Sequence, residues 1–237
     1  MNDINNLLDF NFSKSYSLND LWHKQVKVHY SEKYRKTIIQ KFPQDLWTYE
    51  KILWDVKPTL VFEIGVYHGG FSFWLADRLK TIRKKSIFDL FFSKPCVIGI
   101  DVNANIAGSN YSNQKDIKHL IRYHNCDICD TNLIKSIARK YIQPNDVILI
   151  IEDSAHTYDT TKSALAALSE FVTVKSYFIV EDGCVDYEHL RDSENWPRGV
   201  QQAIHEFIKS TSNYEVDIIN EKYLITCHPN GFLKKIS

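Results

Sequence analysis

Glycine is scarce in this sequence: 8 of 237 residues, about 3.4%, roughly half the usual share of about 7%. An excess of charge is missing too, since 29 Lys and Arg balance 29 Asp and Glu. That removes the simplest electrostatic case for a nucleic-acid binder, which needs a basic excess against phosphates. No apolar run approaches the roughly 18 residues of a membrane span. The first residues, MNDINNLLDF, lack the basic and then apolar regions of a secretory signal. The five cysteines (Cys96, Cys126, Cys129, Cys184, Cys227) are odd in number and irregularly spaced, which points to reduced thiols in a cytoplasmic protein. Cys126 and Cys129 form a CxxC, but no second Cys/His pair lies at zinc-finger spacing, so two half-buried core thiols are expected rather than zinc. What is present is ample apolar material, 44% of the chain, enough for one larger domain.

The first 45 residues are polar and aromatic and suggest an N-terminal helical extension, followed by a main domain over 46–237. From residue 59 apolar strands alternate with helical spacing. TLVFEI (59–64), CVIGID (96–101), IRYHNC (121–126), VILIIED (147–153) and YFIVED (177–182) read as strands. GGFSFWLADRLK (69–80), TKSALAALSEF (161–171) and GVQQAIHEFIKS (199–210) read as helices. The tail segments YEVDII, KYLITC and GFLKKI read as antiparallel strands. The expected fold is α/β: a doubly wound, mostly parallel sheet with an antiparallel C-terminal edge. RKKSIFDLFFSK (83–94) stands out as an insertion, read as an extra docked helix, a subunit contact or a membrane-surface patch.

In such sheets ligands bind beyond the carboxyl ends of the strands. Here those ends are acidic in succession: Glu63, Asp101, Asp127, Glu152–Asp153 and Glu181–Asp182. Buried carboxylates are costly unless they hold donors or a cation. Three of the eight glycines, Gly65, Gly69 and Gly70, fall in the first turn, within the pattern ExGxxxGG. A dinucleotide site would instead show GxGxxG. An acid before the loop, Asp101 about 35 residues on for ribose hydroxyls, and Asp127 for an adenine amino group together suit S-adenosylmethionine better than NAD. The competing reading is a glycine turn needed only for helix–sheet packing. The cofactor set is therefore Glu63, Gly65, Tyr67, Gly69, Gly70, Asp101, Asp127 and Asp153, with His68 a weaker lining candidate.

A second constellation is DSAH, residues 153–156, with Glu181–Asp182 beginning 28 residues after Asp153. Asp153, Glu181 and Asp182 on neighbouring strand ends make an oxygen-rich pocket for a hard divalent cation such as Mg²⁺. His156, three residues after Asp153, is placed to act as general base beside them.

With these residues in place, the chain resembles the cephalosporin hydroxylase family, proteins of the class I methyltransferase fold that include rhamnosyl O-methyltransferases. The resemblance runs through FPQDLWTYEKILWDVKPTLVFEIGVYHGG, VIGIDV, ILIIEDSAHTY, YFIVEDG, WPRGVQQAIHEFI and HPNGFLKKI. It implies a seven-stranded Rossmann-like sheet. It further implies a Mg²⁺- and S-adenosylmethionine-dependent O-methyltransferase acting on a sugar or glycosylated metabolite. By resemblance, Asp153, Glu181 and Asp182 bind magnesium and His156 is the base. Cys126 stands where relatives often carry a glycine, which bears on the adenine contact. The implied partner is a small-molecule or glycan acceptor, and a homo-oligomer is expected. Two other functions were weighed: a non-catalytic S-adenosylmethionine-binding subunit, and a metal-dependent hydroxylase. The hydroxylase needs a 2-His-1-carboxylate triad, and only His156 stands near the acids. Acceptor contacts are expected from residues 1–45 and from 183–198, which carries Asp186, Tyr187, His189, Arg191 and Trp196.

Overall fold

A computed structural model describes residues 15–82, 94–223 and 225–237. The described residues open with helix α1 (Leu18–His29), started by a capping box in which the Ser17 hydroxyl accepts from the Asp20 N–H. A two-stranded antiparallel hairpin follows, β1 (Lys33–Tyr34) and β2 (Thr37–Ile38). Helix α2 (Pro43–Val56) starts with proline, whose fixed φ and missing N–H suit a first turn. Among the described residues, the part before residue 46 is thus one helix, one hairpin and the start of α2.

Strands β3 (Leu60–Ile64), β4 (Val97–Asp101), β5 (Ile121–Asn125), β6 (Ile148–Glu152) and β7 (Tyr177–Val180) then alternate with helices α3 (Gly70–Ile82), α4 (Asn105–Tyr111), α5 (Thr131–Tyr141), α6 (Tyr158–Leu168) and α7 (Val200–Ser210). Strands β8 (Tyr214–Val216) and β9 (Phe232–Lys235) close the sheet, whose order is β5-β4-β3-β6-β7-β9-β8. The β3, β4, β5, β6 and β7 pairings are parallel, and β9 pairs antiparallel with both β7 and β8. This is the expected doubly wound sheet with its antiparallel edge. One strand differs: KYLITC forms no strand among its described residues. Asp217 instead accepts from the Ile219 N–H and starts a 3-10 turn over Ile218–Glu221. The place beside β7 belongs to β9. The insertion expected at 83–94 lies outside the described residues except for Lys94.

Period-two alternation decides which face each strand residue serves. Leu60, Phe62 and Ile64 of β3, with Ile148, Ile150, Phe178 and Val180, pack against α1, α5, α6 and α7. Val61, Leu149, Ile151, Tyr177 and Ile179 point to the opposite face, under α2 and α3. The central strands are apolar on both faces because helices cover both. Each large side chain so buried contributes roughly 1.5–3 kcal/mol. Such a frame can carry charge at its strand ends. Among the described residues no helix is long and apolar enough to cross a membrane.

Candidate functional site

The carboxyl ends of β3, β4, β6 and β7 open into a cavity of about 770 Å³. Its shape begins with the glycine loop after β3. Gly65 has φ +84°, and a Cβ there would stand 2.0 Å from the Asp153 carbonyl oxygen. Only glycine lets the ends of β3 and β6 meet this closely. A Cβ on Gly70 would lie 2.2 Å from the Ile38 carbonyl oxygen, so this glycine seats the β1–β2 hairpin against α3. The packing role of the loop is therefore real, and it is what brings Asp153 beside the loop.

Asp101 lines the cavity, with Oδ2 accepting from the N–H groups of Val66 (2.8 Å) and Tyr67 (3.1 Å) and Oδ1 from Asn103 (2.8 Å). It holds the loop in shape as well as facing the cavity. Asp127 also lines it, accepting from the Cys129 N–H at 2.9 Å. Gly65, Tyr67 and Gly70 complete this wall, whereas Gly69 and His68 fall outside it. Cys126 is buried as expected, but Cys129 is exposed, because β5 has ended and the chain is turning outward. Glu63 is 1% exposed and accepts the Ser72 hydroxyl. Burial pushes its pKa up to about 8, against the opposing pull of Ser72 and Lys41. It is thus a neutral acid at pH 7 rather than a free anion for a cationic ligand.

Across the cavity Asp153, His156 and Asp182 offer ligand atoms within 4.8 Å of one another. His156 and Asp182 both have φ +55°, a left-handed backbone uncommon for residues other than glycine and concentrated at functional sites. His156 Nε2 lies 3.3 Å from Asp182 Oδ2, while its Nδ1 is buried with no hydrogen-bond partner. Burial disfavours the imidazolium, but Asp182 and Asp153 outweigh it and raise the His156 pKa. Burial lifts Asp153 to about 7, helped by Glu181 and opposed by Lys41. Asp182 is held below the ordinary carboxylate range: burial works against this, and His156, His228 and Lys41 prevail.

Glu181 sits one layer deeper, outside the cavity lining and outside the cluster of Asp153 and His156. Its Oε1 accepts the Tyr49 hydroxyl at 2.6 Å. Its Oε2 lies 2.9 Å from Lys41 Nζ and 3.7 Å from His228 Nε2. Glu152, also acidic in the strand-end series, is fully buried and is used to tie the following turn through the Ser154 N–H (3.1 Å) and Thr161 hydroxyl (3.3 Å).

Sequence reasoning missed two charged members of this site, Lys41 and His228. Lys41 Nζ reaches Asp153 Oδ2 at 2.6 Å from the link between the hairpin and α2. Burial alone would strip its proton, but Asp153 and Glu181 hold it as an ammonium. His228 is 1% exposed, and its Nδ1 accepts the Asp182 N–H at 3.2 Å, fixing that residue's turn. Its signal in the sequence was the HPNG turn leading into β9. The β7–β9 pairing places that turn beside residues 180–182, which periodicity alone does not reveal.

The far wall comes from both segments expected to meet an acceptor. Trp22, Val26, His29 and Tyr30 from α1 and its end face Val185, Trp196 and Pro197. The Trp22 indole donates to the Leu190 carbonyl at 2.8 Å, clipping α1 to that loop. Arg191 lies 8% exposed and donates to the carbonyls of Val185, Glu194, Trp196 and Pro197, so it shapes the loop from inside. Asp186 accepts from the N–H groups of Gly199 and Gln201 (both 2.6 Å) at the start of α7. Asp186, Tyr187 and His189 are outside the lining.

The donor set suits a hard divalent ion: Asp153 and Asp182 supply oxygens at the cavity surface, Glu181 backs them, and the open side leaves room for water or substrate oxygens. The opposite wall, with two strand-end acids beside a glycine turn, suits a nucleoside.

Comparison with known proteins places this geometry in context. The family model described as rhamnosyl O-methyltransferase/CmcI matches residues 26–236. The rhamnosyl O-methyltransferase of Mycobacterium tuberculosis (strain ATCC 25618 / H37Rv) is 24% identical over 195 residues, covering 81% of this chain and 74% of its own. That of Mycobacterium leprae (strain TN) is 26% identical over 198 residues, covering 81% and 78%. A structure of CmcI with Mg and SAM superposes with a TM-score of 0.61 at 20% identity, covering 88% of this chain and 78% of the other. A putative caffeoyl-CoA O-methyltransferase from Staphylococcus aureus gives a TM-score of 0.52 at 15% identity, covering 84% and 86%. At such identities the structural matches establish the fold.

Proposed function

The chain belongs to the rhamnosyl O-methyltransferase/CmcI family, and from that membership we propose that it is a Mg²⁺-dependent, S-adenosylmethionine-dependent O-methyltransferase acting on a hydroxyl of a sugar or glycosylated metabolite. The observation that carries the proposal is the trio of Asp153, His156 and Asp182 on one side of a cavity whose other side is the glycine loop with Asp101 and Asp127. A setting in the cytoplasm belongs to the same proposal, supported by five cysteines that form no disulfide.

When bound, the cation supplies Lewis-acid charge near a developing alkoxide, and S-adenosylmethionine supplies the methyl group. The protein's residues do the rest. Ionised Asp182 stands 3.3 Å from His156 Nε2 and, with Asp153, raises the affinity of the ring for a proton. The His156 ring lines the cavity beside these acids, where a base is suited to take a hydroxyl proton as that oxygen attacks. Asp153 and Asp182 orient the metal side, with Glu181 behind them. The loop held by Asp101 orients the nucleoside side. Trp22 and Trp196 give the acceptor wall apolar ring surface.

The test is a methyl-transfer assay with labelled S-adenosylmethionine, Mg²⁺ and a panel of deoxysugar glycosides. His156→Ala should bind cofactor and metal normally while turnover falls by roughly 10²–10⁴. Asp153→Ala and Asp182→Ala should lose metal binding and turnover together. Near wild-type turnover in His156→Ala would remove the base assignment. Cofactor binding with no turnover on any acceptor would favour a non-catalytic binding subunit.

A further inference from the structure

The unexplained charge in the site is Lys41. Its side chain is 5% exposed, yet it belongs to neither of the two expected constellations. Nζ stands between two carboxylates from different strands, 2.6 Å from Asp153 Oδ2 and 2.9 Å from Glu181 Oε2, and lies 4.8 Å from the centre of the Phe71 ring. It enters the site from the hairpin-to-α2 link, whose fit against α3 depends on the missing side chain of Gly70. A buried ion pair costs desolvation energy, so a lysine held here by two acids serves something other than simple stability. The charges suggest what. Asp153, Glu181 and Asp182 carry three negative charges when ionised, and Lys41 cancels one.

We propose that Lys41 is a built-in counter-ion of the metal site. It holds the acid cluster together before a metal arrives, and it weakens divalent-cation affinity by competing for Asp153 and Glu181. The inference rests on the metal-site reading of the proposed function. It makes Lys41 a positioning residue, and it gives the N-terminal segment a direct part in metal affinity. The same ammonium explains how a cluster of acids can be packed closely beneath the cavity: Asp153 and Glu181 share it. Because Glu181 is also held by Tyr49 and faced by His228, removing Lys41 leaves Glu181 partnered but Asp153 unneutralised on its inner side.

The experiment compares wild type, Lys41→Met and Lys41→Arg by Mg²⁺ calorimetry and by thermal melting with and without Mg²⁺. Lys41→Met keeps most of the side-chain length and loses the charge. It should bind Mg²⁺ at least about tenfold more tightly than wild type, since one opposing charge has gone from beside the ion. Without metal it should melt lower than wild type, and millimolar Mg²⁺ should raise its melting temperature by more than it raises that of wild type. Lys41→Arg should stay within about threefold of wild type in affinity, because the charge is kept. If Lys41→Met is unfolded without metal, Mg²⁺ should restore a cooperative transition, and a failure to restore it overturns the proposal. Equal or weaker Mg²⁺ binding by a folded Lys41→Met overturns it as well. Absence of Mg²⁺ binding by wild type would instead remove the metal-site reading, a distinct result.

Discussion

Replacing Glu63 by glutamine should flatten the pH dependence of stability. The Glu63 carboxyl lies within β3, 1% exposed, and burial lifts its pKa from 4.5 to about 8. Folding therefore takes up a proton at neutral pH. A group whose folded pKa is raised gives stability that is fully present below its unfolded value and lost as pH climbs through its folded value. For Glu63 that window runs from 4.5 to about 8. The whole gap corresponds to about 5 kcal/mol at roughly 1.4 kcal/mol per pH unit, of which about 3–4 kcal/mol is lost between pH 5 and pH 8. Glutamine keeps an acceptor for the Ser72 hydroxyl and cannot ionise. Urea unfolding of wild type and Glu63→Gln across that range would measure the difference directly. Subtraction removes the parallel contributions of Asp153 and Glu152, whose pKa values are also raised. The variant should gain on wild type by about 3 kcal/mol as pH rises. Two curves that stay parallel would mean that Glu63 ionises like a solvated acid, and the neutral-acid assignment would be wrong.

Gly65→Ala should cost about 3 kcal/mol or more, because its Cβ would meet the Asp153 carbonyl at 2.0 Å on a backbone with φ +84°; denaturant unfolding checks it, and a cost below about 1 kcal/mol would mean the loop moves freely. In metal-free protein, NMR titration should find His156 ionising above 6.5, with Asp182→Asn lowering that value; a His156 that titrates below 6.5 would contradict the acid pair seen around it. Cys129 is exposed at the cavity edge while the other four cysteines are buried, so a thiol reagent should label it first. S-adenosylmethionine should slow that labelling, and equal rates with and without it would place the nucleoside elsewhere.

The sheet was legible in the sequence because each central strand is a short apolar run bounded by a turn, and burial on both faces demands that pattern. The antiparallel tail was harder. KYLITC has the alternation of a strand, but hydrogen bonds decide the matter, and β9 already occupies the edge of β7. The acids of the site were legible for the same reason as the strands: a carboxylate at the end of an apolar run is conspicuous. Which of them face the cavity was not. Glu152 ends β6 as Asp101 ends β4, yet it turns into protein, where Thr161 meets it, while Glu63 reaches the cavity lining with its carboxyl engaged by Ser72. Alternation along a strand separates two faces of a sheet, but the last residues twist out of that rule into the turn.

Lys41 and His228 show what a linear reading loses. Each is a single charged or ionisable residue in a polar stretch, where solvent exposure is the ordinary expectation. Each becomes buried where distant segments meet it: Asp153, Glu181 and Phe71 for Lys41, and Asp45, Tyr49 and Glu181 for His228. The sequence distance from Lys41 to Asp153 is 112 residues. No periodicity spans that. A partner for a buried acid must nevertheless exist, since an unpaired cluster of carboxylates is too costly to fold. The acids alone therefore predict that some cation from elsewhere in the chain reaches them. The search for it is narrow, because a lysine or histidine must stand beside the strand ends without belonging to a strand. The turn that enters β9 at the carboxyl edge of the sheet carries His228, and the link between the β1–β2 hairpin and α2 brings Lys41 to the same edge.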